Sequence, residues 1–402
     1  MAIDNKDKKI LNVPHLRFPE FSGEWEMVSL QDIATINPKS DPLQNTFIYI
    51  DLEAVEKGEL RKIQEIMREE APSRAQRVID NNDILFQCVR PYQKNNYIHR
   101  ILNTSNQQWV ASTGYAQIRT TELPNYIYHL LNTDEFNRKV MVRCTGSSYP
   151  AINSEDLATI HLYYTPDKKE QLKISRLLDL LDKRIATQNK IIEDLKKLKS
   201  AISKHLFARK DLLETTICLS NIATLKNGYA FQSGKYNALG KWKILTITNV
   251  SGERYINDED YNCIINLPND IQDHQVLKEG DILISLTGNV GRVSLCKTGN
   301  YLLNQRVGLL QLAKNVDQEF LYQILSSQRF ENNMIACGQG AAQMNIGKGD
   351  VESFVLPYSS NVNNIRLVAK ILHLYDECVI NELRRLILLT MQKQYFLAQM
   401  FI

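Results

Sequence analysis

The sequence predicts an α+β protein: two similar α/β domains, each followed by one long coiled-coil helix. Three observations carry that reading. A heptad run spans residues 168–207, stepping alternately four and three through Ile174, Leu178, Leu181, Ile185, Gln188, Ile192, Leu195, Lys199, Ile202 and Leu206. The same seam returns 194 residues later as Val368, Leu372, Tyr375, Val379, Glu382, Leu386, Leu389, Lys393, Phe396 and Met400. Markers outside the seam keep that offset, since Asp182 falls on Asp376, Leu180 on Leu374, Gly146 on Gly340 and Asp156 on Asp350. The chain is therefore an internal duplication. It divides into residues 1–166, a first domain with an N-terminal arm; 167–210, a central helix; 211–360, a second domain; and 361–402, a closing helix.

Taken in order, residues 1–14 read as a loose arm. Leu16-Arg-Phe-Pro-Glu-Phe-Ser-Gly-Glu-Trp25 is rich in aromatics and proline, and Phe18, Phe21 and Trp25 are expected to pack against the first domain. β-Branched and aromatic runs predict strands at 46–51, 83–89 and 114–119, answered in the second copy by 243–250, 281–286 and 305–312. The clearest internal match is Asn82-Asp-Ile-Leu85 against Gly280-Asp-Ile-Leu283, at an offset of 198. Short helices are predicted within 124–144 and 317–336. Thr165-Pro166 predicts a helix start, with Thr as cap and Pro in the first turn.

Composition sets bounds. The 402 residues and 44% apolar content suit two domains with real cores, and the net charge of +3 announces no particular partner. The distribution is more informative: residues 168–207 carry eleven Lys or Arg against five Asp or Glu. The seven cysteines are scattered and odd in number, which argues against a disulfide framework or a zinc site and fits a reducing cytoplasm. No apolar run is long enough to span a bilayer, and the N-terminus is too polar for a signal peptide. Gly347-Lys348-Gly349 lacks the spacing and hydroxyl of a phosphate loop, no Rossmann turn appears, and no Asn/Asp-Pro-Pro-aromatic methyltransferase motif is present. The seven histidines form no cluster, so the sequence offers no catalytic residues and no metal ligands.

A polar loop follows each Asp-Ile-Leu strand, and its residues are the side-chain types that pair with base edges. In the first copy these are Arg90, Gln93, Lys94, Asn95 and Asn96; in the second, Asn289, Arg292, Gln305 and Arg306. A closing turn adds Ser147, Ser148 and Tyr149, matched by Gln339, Gln343, Asn345 and Lys348, for base or phosphate contact. Each also suits an ordinary surface turn, and Tyr149 an ordinary packing role. A helix of about 38 residues is a rod of roughly 57 Å. Two similar heads on such a rod suit a split site on duplex DNA, whose major-groove faces recur about every 34 Å. Pattern alone leaves parallel and antiparallel pairing of the helices open. Gln188 and Lys199 either fix the register of the seam or mark where it frays, and Asp182 and Asp376 read as salt-bridge partners.

In these features the chain resembles the specificity (S) subunits of Type I restriction–modification systems. The resemblance rests on Leu16-Arg-Phe-Pro-Glu-Phe-Ser-Gly-Glu-Trp25, on Trp25-Glu-Met-Val-Ser-Leu-Gln-Asp-Ile-Ala34, and on the duplicated Asp-Ile-Leu strands. It also rests on Gly146-Ser-Ser-Tyr-Pro-Ala-Ile-Asn153 leading into Leu162-Tyr-Tyr-Thr-Pro166, and on the Lys-rich helix ending Lys204-His-Leu-Phe207. It covers essentially the whole chain. The second copy departs from it at Gly338-Gln-Gly-Ala-Ala-Gln-Met-Asn345, which lacks the proline of the first.

The resemblance implies two target-recognition domains related by a pseudo-two-fold axis, each reading half of a bipartite double-stranded DNA sequence. It implies that the long helices pack antiparallel, set the unread spacer and dock two methyltransferase subunits. Those subunits would flip out an adenine and methylate it from S-adenosylmethionine. Two motor-nuclease subunits would add ATP- and Mg-dependent restriction, and this chain would hold no cofactor. Two other readings compete: a stand-alone two-domain DNA-binding regulator, which would need no methyltransferase, and a coiled-coil scaffold, which would bind no DNA. The missing cofactor motifs disfavour a stand-alone methyltransferase.

Overall fold

The computed structural model describes residues 12–101, 107–338 and 344–402. The first eleven residues of the arm, and Gln339, Gly340 and Gln343 of the second closing turn, lie outside these. The chain forms two compact units, Met1–Gln188 with Arg385–Ile402, and Asn189–Arg384. Each holds one domain, part of the central helix Lys168–Ala208 and part of the second long helix Val362–Gln399.

The duplication is visible strand by strand. In the first unit one sheet runs in the order Ala34–Ile36, Tyr115–Thr120, Ile84–Gln87, Tyr97–Ile98. The second unit repeats it as Ala223–Asn227, Val307–Leu312, Ile282–Ser285, Val293–Leu295. The other sheet is Gln64–Met67, Thr46–Ile50, Gln108–Ser112, Ala75–Ile79. Its counterpart is Asn262–Ile264, Trp242–Leu245, Tyr301–Leu303, Val276–Leu277. In both copies the middle pair of this sheet is parallel and its other pairings are antiparallel.

The Asp-Ile-Leu match marks the strand buried on both faces. Because successive side chains alternate, Ile84 and Phe86 join the core beneath the helices, while Leu85 points into the core between the two sheets. Ile282 and Ile284 divide from Leu283 in the same way. Helices Pro124–Leu131 and Asp134–Arg143, repeated as Gln318–Leu325 and Gln328–Gly338, carry the first core onto the long helices. Trp25 is buried in it against Tyr126 and Phe401, and Phe18 packs at its edge.

Two local expectations change. The run 243–250 is strand only to Leu245, because Asn249 Oδ1 accepts from the Thr246 amide and turns the chain. The central helix begins at Lys168 rather than Pro166, and Asp167 is the residue that caps it. Its Oδ1 accepts from the amides of Lys169 and Glu170, whereas Thr165 Oγ1 donates to the buried Glu170 carboxylate. That carboxylate also holds Arg17 at 2.7 and 2.9 Å, which fastens the aromatic leading segment to the helix.

Every predicted seam position is buried or half-buried. Within the second unit Lys199 Nζ lies 2.5 Å from Asp376, and the Asn364 amide donates to Leu212 O, so the helices run antiparallel there. Within the first unit Lys393 lies 2.5 Å from Asp182. The two ion pairs obey one register, since 17 residues forward on the central helix (182 to 199) is 17 back on the other (393 to 376). The polar seam residue Lys199 thus has a definite partner, and so does its equivalent Lys393.

Between the sheets of the first unit His99 is fully buried against Trp109, with no hydrogen-bond partner for its ring among the described residues. Burial holds its pKa down at about 4. The folded value lies below the unfolded one, near 6.5, so stability present above that pH is lost as pH falls toward 4. The loss reaches about 2 kcal/mol at pH 5. Thermal unfolding scans should show a drop in the midpoint between pH 7 and 5 that His99→Phe makes shallower, the buried His129 supplying part of the remainder; an unchanged slope would contradict it.

Candidate nucleic-acid interface

In each unit the polar loop and the closing turn, far apart in sequence, are stitched into one surface. In the first, the Ile152 amide donates to Cys88 O, the Arg90 amide to Pro150 O, and Thr145 and Ala151 pair through both backbone groups. In the second, the Ile346 amide donates to Leu286 O, the Gly288 amide to Met344 O, and Thr287 Oγ1 to Asn345 Oδ1 at 3.0 Å. The turn holding Gln305 and Arg306 joins them through the Leu286 amide, which donates to Arg306 O.

Arg90 sits at φ 55°, in the left-handed region that non-glycine residues avoid. Its equivalent at the strand-loop offset of 198 is Gly288, at φ 73°. One copy thus keeps an arginine where the other uses glycine to relieve the same backbone demand. The guanidinium lies 4.4 Å from the centre of the Tyr149 ring, and Tyr149, Ser147 and Ser148 are exposed beside it. Stacking restrains a side chain that otherwise loses much rotamer freedom on binding.

The neighbouring residues do different work. Asn96 is buried: its Oδ1 accepts from the Gln87 amide and its Nδ2 donates to Asn132. Both of its side-chain atoms are taken up in holding the loop. Asn95 Oδ1 accepts from the Lys57 amide and pins a neighbouring hairpin. Lys94, also left-handed, gives its ammonium to Asp134 at 2.5 Å and to Asn132 O. Gln93 is exposed, with Oε1 taken by Gln87.

In the second unit Asn289, Gln305, Arg306 and Asn345 are exposed. Arg292 is half-exposed, 3.5 Å from Glu331 and from Ser251 O. Lys348 is exposed, 3.7 Å from Glu352. Burial pushes the thiols of Cys88 and Cys296 up to about 12, which keeps them protonated and unreactive. Among the described residues no group of His, Cys, Asp or Glu is placed to hold a metal ion, and no helix is long and apolar enough to cross a membrane.

The chain thus repeats one domain, and each copy packs on stretches of the two long helices within its own unit. The family model described as the Type I restriction modification DNA specificity domain matches twice, over residues 22–197 and 214–390, and the chain belongs to that family. It is a DNA specificity subunit with two target-recognition domains. Among curated relatives, the Type I restriction enzyme MjaVIII specificity subunit of Methanocaldococcus jannaschii is 25% identical over 370 residues, 82% of this chain and 80% of that one. The HindI specificity subunit of Haemophilus influenzae is 24% identical over 195 residues, 47% of this chain and 39% of its own. The crystal structure of a Type I restriction–modification S subunit from M. genitalium superposes with a TM-score of 0.58 at 16% identity, covering 97% of this chain and 99% of that one. A structure reported for complex assembly and conformational transition of the type I R-M system gives 0.57 at 20% identity, over 93% and 96%. Both carry the same fold.

Proposed function

We propose that this chain is the non-catalytic address of a Type I restriction–modification complex, each domain reading one half of a bipartite DNA sequence. Residues 1–166 and 211–360 act as the two readers, and the helices 167–210 and 361–402 set the unread spacer between them. The observation that carries the reading is Arg90, kept at a left-handed position against its backbone preference and stacked on Tyr149 at a solvent-facing turn. Strain of this kind is retained where the side chain is used. Arg90 then pairs with a guanine edge, while Ser147, Ser148 and Tyr149 meet the adjoining backbone or base. In the second domain Asn289, Gln305, Arg306, Asn345 and Lys348 form the corresponding set, with Arg292 at its edge.

The long helices also dock two methyltransferase subunits. Leu180 and Leu374, equivalent in the duplication, are 55% and 54% exposed, one in each unit. A pair of identical partners would cover both. Those partners bring S-adenosylmethionine, and two motor-nuclease subunits bring ATP and Mg chemistry.

Sequencing of methylated adenines with and without the gene tests the reading, because a bipartite methylated motif should vanish on its deletion. Arg90→Ala in the assembled complex should weaken DNA binding by about tenfold to a hundredfold, relaxing sequence preference in one half of the motif only. Loss spread evenly over both halves, or no loss, would sink the assignment.

A further inference from the structure

Each domain is seated on its own stretch of long helix by a polar node, and the two nodes carry opposite chemistry at equivalent places. In the first unit the helix supplies the acid. Asp179 lies 2.9 Å from Nε2 of His129, accepts from the Asn125 amide, and stands 3.6 Å from Arg100. In the second unit the acid that faces the helix histidine is the domain's, and Asp376 of the helix shares its arginine. Glu319 binds Arg254 at 2.9 and 2.6 Å, and His373 on the helix stands 3.6 Å from it.

The duplication sets Asn125 against Glu319, His129 against Gln323, and Asp179 against His373. Acid and histidine have therefore exchanged sides. The apolar packing around them has not changed in kind, since Phe136 and Phe330, and Leu178 and Leu372, are all buried. Packing alone does not require the inversion. It does discriminate. On the helix stretch bearing Asp179, the second domain would meet an acid where Glu319 now meets His373. On the stretch bearing His373, the first domain would face its histidine with a second one and lose the acid that its Asn125 and His129 bind. A buried polar group deprived of its partner is strongly disfavoured. Burial holds His129 below its ordinary value, against the opposing pull of its hydrogen bond with Asp179.

We propose that these inverted sockets are positioning sites that admit each recognition domain only onto its own stretch of helix. The proposal rests on the two-domain reading above only for its DNA measurement. In the full chain, Asp179→His sets imidazole against imidazole, and should lower hydrogen-exchange protection over residues 124–131 by about tenfold or more. Adding Asn125→Glu and His129→Gln rebuilds the opposite socket, with Arg100 as its cation, and should restore protection to within about threefold. Asp179→Asn, which keeps one acceptor oxygen and drops the charge, should fall between.

In the assembled complex, the single variant should lose the preference between DNA probes whose spacers differ by one base pair, and the triple variant should regain it. Simple destabilisation would weaken all spacers alike. Unchanged protection in Asp179→His, or a triple variant that restores nothing, overturns the proposal. If Asp179→His fails to fold, recovery of folded protein by the triple variant supports it and failure to recover refutes it. Wild-type complex that prefers no bipartite probe, alongside the expected exchange results, would refute the DNA reading and leave the sockets standing.

Discussion

Replacing Asp376 by leucine should destabilise the second unit by about 3 kcal/mol, because it removes the acceptor shared by three donors, two of them buried. The carboxylate takes Lys199 at 2.5 Å, Arg254 at 2.9 Å and the Gln323 amide at 2.6 Å, and is itself buried. Lys199 can bend toward water. Arg254 is 8% exposed and keeps Glu319 as its one carboxylate, while Gln323 keeps one of its two acceptors. The equivalent change, Asp182→Leu, should cost under about 1 kcal/mol, since an exposed ion pair contributes little. Asp182 and Lys393 are 35% and 22% exposed, and the first unit gives its buried anchoring to Asp179 instead. Denaturant unfolding of the two variants, compared at matched slopes, checks the contrast; equal losses would show that sequence equivalence, not burial, sets the energetics.

That contrast marks where the sequence was legible and where it stopped. The heptad seam and its offset are local periodicities, and each predicted seam position is buried or half-buried in the fold. The seam does not say which way the helices run. The pairing does, because Lys199 and Lys393 each find an aspartate that only the antiparallel register brings opposite. Strands followed their β-branched runs until a side chain turned the backbone, as Asn249 does after Leu245. The true cap of the central helix was hidden by competition, since Thr165 and Asp167 both suit the place and Glu170 draws the threonine hydroxyl away.

At the recognition loop the segment was legible and the individual roles were not. Arg90, Lys94, Asn95 and Asn96 read alike as polar turn residues. What separates them is tertiary: Lys94 and Asn96 meet Asp134 and Asn132 some forty positions on, and Asn95 meets Lys57. Arg90 is singled out by a backbone angle and a stacked ring, neither of which a sequence displays. Arg254 and His129 were missed because their partners lie more than 45 positions away. The comparison of copies was the signal that would have found them, since Asp179 facing His373 at a fixed offset is visible in the sequence.

The register of the helices yields the second large prediction, for the spacer. Seven residues inserted between Gln188 and Asn189 alone lengthen one helix where the chain passes from one unit to the other, while its partner keeps its length. The pairs Asp182–Lys393 and Lys199–Asp376 then cannot both form, and the complex should lose DNA binding or fail to assemble. A second heptad inserted between Arg384 and Arg385 restores the match, because every contact within each unit is left intact. Seven residues turn a helix by nearly two full turns, so the seam stays on its face. The rod grows by about 10 Å, close to three base pairs of duplex. A complex carrying the doubly extended subunit should therefore methylate the same two half-sites across a spacer about three base pairs longer, read directly by sequencing methylated adenines. Unchanged spacing in a folded, active double insertion would mean that contacts of the partner subunits, not the paired helices, measure the gap.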